Sequence, residues 1–249
     1  MAKLKSILKI EGTLDELTFY KTQDGHLVRT KGGVSGERIA NDPNFQRTRE
    51  NGAEFGSSAS SGKLLRNAVR NLMMNASDNR VTSRLTQIMT QIKNYDVASP
   101  RGERTVADGI ADPAALALLK NFDFNNKAAL SGVLFAPFTV NNTTGAISIP
   151  SFVPLNDIAY PSGATHISFK SAYAVVDFAN ATSAIEYSPV TNLAIGPANT
   201  TVTLTPAAVP AGTGTKFYLL LIEFFQEVNA VQYPLKNGAY NVLNIVDAA

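Results

Sequence analysis

Hydrophobic positions along this chain change their period near residues 35 and 127, dividing it into three stretches. In the first, Leu4, Ile7 and Ile10 lie on a candidate strand over 4–10. Leu17-Thr18-Phe19-Tyr20 and Leu27-Val28-Arg29 flank Asp24-Gly25, a strong local hairpin signal. Gly32-Gly33 ends the strand pattern. From 35 to 95 the spacing is helical. Ser35 and Asp42-Pro43 are helix starts. Leu65, Val69, Leu72 and Met73 share one face of a segment over 53–75, and Val81, Leu85, Ile88, Met89 and Ile92 recur at intervals of three to four in the next. A short turn at 75–79, with Ser77 or Asp78 as cap, makes these an amphipathic helical pair. Asp112-Pro113 opens one more short helix.

From about residue 127 strands return. Phe138-Thr139-Val140 and Ile147-Ser148-Ile149 flank a turn at 142–145, and further strands are expected over 166–178, 182–187, 200–205, 216–228 and 239–246. Leu219-Leu220-Leu221-Ile222 is a continuous apolar run and reads as a central buried strand. Prolines at 150, 154, 161, 189, 197, 206, 210 and 234 separate the strands, the spacing of a β-sandwich. The expected fold is α+β: an N-terminal β-hairpin plus helical segment over 1–125, and a C-terminal antiparallel β-sandwich over 126–249. The boundary is placed at 121–130, where composition shifts.

Charge sharpens that division. Residues 1–120 carry 18 Lys and Arg against 13 acids, and 121–249 carry 4 against 7; all ten arginines lie from Arg29 to Arg104. Charged residues are 17% of the chain, below the usual level of about a quarter. A surface poor in charge is cheap to desolvate and suits protein–protein contact. The chain has no Cys, which removes disulfides, thiolate nucleophiles and Cys-based metal sites. The first residues lack the apolar run of a classical signal peptide, and no stretch is long enough for a membrane span. The chain is expected to be made in the cytoplasm.

Catalytic chemistry is sparse. The two histidines, His26 and His166, have no partner that the sequence places beside them. Residues 56–63, Gly-Ser-Ser-Ala-Ser-Ser-Gly-Lys, fail as a phosphate-binding loop: five residues separate the glycines and Leu64 stands at the Ser/Thr position. A close helix–helix contact explains the small residues better. Ser60-Ser61-Gly62-Lys63 and Ser77-Asp78-Asn79 echo serine-enzyme motifs but lie too close together. Glu223 and Glu227 fall on one side of a strand, where edge charges that discourage wrong pairing are the simpler account. Asn-x-Ser/Thr strings at Asn75, Asn141, Asn142, Asn180 and Asn199 read as turn and helix-end chemistry. No catalytic residue, cofactor or metal site is expected.

Leu17-Thr18-Phe19-Tyr20-Lys21, Val28-Arg29-Thr30-Lys31-Gly32-Gly33-Val34-Ser35, Arg47-Thr48-Arg49-Glu50-Asn51, Glu54-Phe55-Gly56, Gly62-Lys63-Leu64-Leu65-Arg66 and Ile222-Glu223-Phe224-Phe225-Gln226-Glu227-Val228-Asn229 together resemble a group of Bacteroidota proteins of about this length with no assigned activity. The resemblance spans most of the chain. It implies a bacterial origin and one two-part architecture, and no mechanism.

The leading expectation is a non-enzymatic structural or interaction protein that self-associates, into a filament, tube or lattice. Its basic half would meet a neighbour's acidic half, and the strand carrying Leu4, Ile7 and Ile10 would add to a neighbour's sheet edge. The alternative is nucleic-acid association through Arg66, Arg70, Arg80 and Arg84 on the helical pair. A carbohydrate- or surface-binding sandwich using loops 141–145, 160–165 or 196–199 is a third class, with Tyr160 the one aromatic there.

Overall fold

The computed structural model describes residues 2–3, 9–30, 32–235 and 238–249. They form two compact units, Met1–Arg49 and Glu50–Ala249. The fold is α+β, with an N-terminal hairpin sheet, helices through 36–95 and an antiparallel sandwich in the C-terminal half. The expected boundary at 125/126 lies inside the second unit, because the helices from 50 onward share a core with the sheet of residues 166–248.

In the first unit, β1 (Ala2–Lys3), β2 (Gly12–Leu14), β3 (Leu17–Thr22) and β4 (Gly25–Thr30) form a sheet in the order β1-β4-β3-β2. The expected hairpin forms, with Lys21 pairing His26 and Thr22 pairing Gly25, so its turn is Gln23-Asp24 and Gly25 opens the return strand. Helix α1 (Gly36–Asn41) is capped by Ser35, whose hydroxyl accepts from the Arg38 N–H, and Asp42 caps a 3₁₀ turn, Pro43–Phe45. None of residues 9–30 and 32–49 is buried.

The second unit has three layers. Two long strands run through its centre, β8 (His166–Asp177) and β12 (Thr215–Val228), paired antiparallel from Thr215↔Val176 to Phe225↔His166. The outer edge of β8 carries β9 (Thr182–Tyr187) and β10 (Thr191–Ala194); that of β12 carries β14 (Val242–Ala248) and β13 (Val231–Pro234). β5 (Phe122–Asp123) closes the sheet beyond β14. A second sheet of β6 (Thr139–Val140), β7 (Ile147–Phe152) and β11 (Thr200–Leu204) has the order β11-β7-β6.

Side-chain alternation sends the two faces of the main sheet into different cores. Ala172, Ala174, Phe217, Leu219 and Leu221 meet Leu65, Val69, Leu85, Met89 and Ile92 from the helices. Phe169, Tyr173, Tyr218, Leu220 and Ile222 meet Ile147, Ile149, Phe152, Val202 and Leu204 from the small sheet. The helical layer consists of α2 (Gln46–Ala68), α3 (Arg70–Met73), α4 (Val81–Ile92), α5 (Val106–Gly109) and α6 (Pro113–Ala117), while α7 (Leu130–Val133) lies with the small sheet's core. No helix among the described residues is long and apolar enough to cross a membrane.

The β12–β13 hairpin turns through Asn229 (φ 52°) and Ala230 (φ 61°), both left-handed. Two-residue hairpins of this type favour glycine at the second position, because a Cβ is strained there. Ala230→Gly is expected to stabilise the chain by about 1 kcal/mol and raise Tm by about 2–4 °C. An unchanged or lowered Tm in thermal unfolding would contradict the assignment.

Candidate functional site

The four arginines of the nucleic-acid reading meet different fates. Arg84 is absorbed by the fold: its guanidinium donates to the Asp123 carbonyl at 2.8 Å and the Phe124 carbonyl at 3.2 Å, pairs with Asp78, and lies 5.0 Å from the Phe122 ring centre. Burial works against the Asp78 carboxylate, but the N–H groups of Asn126 and Arg80, with Arg84, outweigh it and hold its pKa below the usual range. Arg66 reaches along and across the helical pair, to the Gly62 carbonyl at 3.3 Å and the Thr82 hydroxyl at 2.7 Å. Arg70 and Arg80 are exposed. The four do not form one open stripe. Leu4 and Ile7 lie outside the described residues, and Ile10 is exposed.

A buried ionic lock sets the geometry of α2 and α4. Lys93, directly after α4, pairs with Glu54 on α2, and both are buried. The second Glu54 oxygen accepts the Gly102 N–H at 2.8 Å. Gly102 has φ +94° and packs so tightly on Glu50 that a Cβ would come within 2.9 Å of its side chain. Lys93 is the main reason the Glu54 pKa is lowered, ahead of the opposing cost of burial. Asp96 then fastens the following loop, accepting from the N–H groups of Ala98 at 3.1 Å, Ser99 at 2.9 Å and Thr105 at 3.0 Å. The Ser99 bonds come first among the causes that bring its pKa down to about 2.

Outward of the lock lies an uncharged groove. On α2, Glu54, Ser58, Gly62 and Leu65 point inward, and Gly62 stands where an added Cβ would lie 3.6 Å from Met89. Residues 56–63 therefore lie on a helix in close contact with another, as their small size implies. The opposite side presents Gly52 and Gly56, in line with Arg49 and Lys63, while Phe55, 58% exposed, lies at the flank toward α4. Beside Phe55 a groove of about 710 Å³ runs between α2 and α4, lined by Ala59, Thr82, Thr86, Gln87 and Thr90 among others, with no charged residue. Added Cβ atoms at Gly52 and Gly56 would meet nothing within 4 Å. Each exposed helical glycine costs about 1 kcal/mol relative to alanine, and no contact among the described residues requires it.

His166 does find a carboxylate. Its Nε2 lies 3.6 Å from Glu227, and the Thr165 hydroxyl lies 3.0 Å from its Nδ1. The Glu227 N–H donates to that hydroxyl at 2.7 Å, Gln232 donates to the Glu227 carboxylate at 3.3 Å, and Asn192 donates to Gln232 at 2.9 Å. These contacts tie β8, β10, β12 and β13 together on an open sheet face. Glu223 lies four residues along the same strand from Glu227, about 13 Å at strand rise, beyond the spacing of a glycosidase pair. Burial raises the Glu223 pKa, against the opposing effects of Asn75 and Lys170. Asn192 and Gln232, unforeseen from sequence, lie on short strands whose pairing only the fold reveals.

Comparison with family models, curated proteins and solved structures finds no match.

Two outcomes test the lock. Lys93→Met strands a buried carboxylate and is expected to cost about 3–5 kcal/mol in urea unfolding, whereas Glu54→Leu with Lys93→Leu recovers most of that loss; equal losses would show that the ion pair does not act as one element. The lowered Asp96 pKa means its contribution is complete above the unfolded value of about 4 and disappears as pH falls through about 2. Protection of the Ala98, Ser99 and Thr105 amides should persist below pH 4 and collapse toward pH 2; loss centred above pH 4 would contradict the bonding described.

Proposed function

We propose that this is a non-enzymatic structural protein that self-associates, with the α2 face as its principal contact. The observation that carries the reading is the pair of exposed glycines on the outer side of α2, beside an exposed phenylalanine. Gly52 and Gly56 weaken α2 while no contact among the described residues requires them, as expected where another backbone must come close. In an isologous contact the same patch meets itself about a two-fold axis. Each Phe55 ring then covers the other copy's glycine notch, and the uncharged groove loses little hydration when covered.

Two other features support assembly. None of residues 9–30 in the N-terminal sheet is buried, and small sheets need an apolar cover to persist; a neighbouring copy can supply it. The β12–β13 tip exposes Val228, Val231 and Tyr233 on an edge strand. A second contact there would join two-fold pairs into an open filament or lattice. Part of the charge asymmetry is consumed within the chain, through pairs such as Lys120–Asp247 at 2.7 Å. Association therefore rests more on the α2 face and its uncharged groove than on a basic half meeting an acidic one. Nucleic-acid binding is the weaker reading, with only Arg70 and Arg80 of the four fully available.

Gly52→Ala and Gly56→Ala test this with opposed readouts. Each is expected to raise unfolding stability by about 0.5–1 kcal/mol while lowering the assembled fraction in mass photometry; Phe55→Glu should leave a folded chain that no longer forms the α2-mediated pair. Alanine variants that stabilise the fold and assemble like the parent would overturn the reading, as would a parent chain monomeric at all concentrations.

A further inference from the structure

The strand β14 reads Val-Leu-Asn-Ile-Val over 242–246, an apolar run interrupted by one amide. Asn244 is only 1% exposed. Its Nδ2 donates to Asp123 Oδ1 at 2.7 Å, across the β14–β5 pairing in which the two residues are partners. Its Oδ1 is buried and accepts no hydrogen bond from the described residues. A buried amide oxygen without a donor costs about 1–3 kcal/mol. Because Nδ2 must face the carboxylate, turning the amide over would place two acceptors against each other. The unsatisfied group is an acceptor.

Asn244 belongs to the lining of a cavity of about 630 Å³ beside α7, together with Asp123, Leu130, Leu134, Phe135 and Phe138. The volume falls in the range of small-molecule sites. Asp123 is held in place from two sides, since its Oδ1 also accepts the Leu130 N–H at 2.9 Å. Its Oδ2 takes no hydrogen bond from the described residues. The lining therefore offers fixed acceptors and an aromatic face in Phe135, 58% exposed.

We propose that this cavity binds a neutral polyhydroxylated ligand, a sugar ring, with adjacent hydroxyls donating to Asn244 Oδ1 and Asp123 Oδ2 and the ring's apolar face on Phe135 and Phe138. Two acceptors side by side call for a ligand with neighbouring donors, and carbon-bound faces pack on phenyl rings as hydroxyl-bearing ones do not. A cationic ligand is the competing occupant, since Asp123 brings a carboxylate to the same lining, and the titration below separates the two. This site is distinct from loops 141–145, 160–165 and 196–199, where sequence reasoning looked for sugar contacts. It is also independent of the α2 face.

The test is titration of the full-length chain, followed by amide and side-chain NMR, with glucose, galactose, mannose and N-acetylglucosamine, and with ethylammonium as the cationic comparison. At least one sugar is expected to give saturable shifts at the Asn244 side-chain amide and the Leu130 N–H. Phe135→Ala, at an exposed position that the fold does not need, should weaken that binding about fivefold or more, and Asn244→Leu should abolish it. Folding of both variants is checked by circular dichroism, and Phe135→Ala alone decides the matter if Asn244→Leu fails to fold. The proposal is overturned if no sugar saturates up to its solubility limit, if binding is undiminished in Phe135→Ala, or if only ethylammonium binds.

Discussion

The architecture depends on burying both faces of one strand pair. β8 and β12 have no side free for solvent along most of their length, with Phe217, Tyr218, Leu219, Leu220 and Ile222 all fully buried. Such strands need a cover on each side. The helical layer supplies one and the small sheet the other. Every later feature is placed by that arrangement: the inner faces of α2 and α4 are committed to the core, and their outer faces remain for something else.

The lock at Glu54 and Lys93 makes that outer face definite. A buried ion pair is weak support for net stability, because desolvating two charges costs nearly what their attraction returns. Its effect is to fix spacing and register between two helices whose contact is built from small residues, Ser58 and Gly62, and therefore has little side-chain interdigitation to hold it. With the spacing fixed, Gly52, Phe55 and Gly56 present a patch of definite shape. The polar ties among His166, Glu227, Gln232 and Asn192 act similarly at the far end of the sheet, holding short edge strands rather than assembling a cleft.

Much of the fold is legible in the sequence. Asp24-Gly25 gives the first hairpin, the spacing of Leu65 to Leu72 and Val81 to Ile92 gives the helical pair, and the threonine alternation around Val202 and Leu204 gives a half-exposed strand. The boundary is not legible, although the clue is present. An uninterrupted Leu219–Ile222 run already requires two covers, and amphipathic helices upstream are the available second one. Composition draws the eye to residue 125 because helices and strands differ in residue type whether or not they share a core. The fates of Arg66 and Arg84 are hidden because Asp78, Thr82 and the Asp123 carbonyl become their partners only through tertiary approach. Asn244 could have been noticed as the one amide in an apolar strand; its missing donor and the cavity beside it could not.

The central claim is that α2 meets α2 of another copy. Because the chain has no cysteine, Lys63→Cys creates a unique attachment point for a nitroxide, two turns beyond Gly56 on the same side of α2. Pulsed electron dipolar spectroscopy then reads the separation between copies. The account predicts a narrow distance peak below about 35 Å, the length of a 23-residue helix. A featureless background decay, or a broad distribution beyond that length, would contradict it.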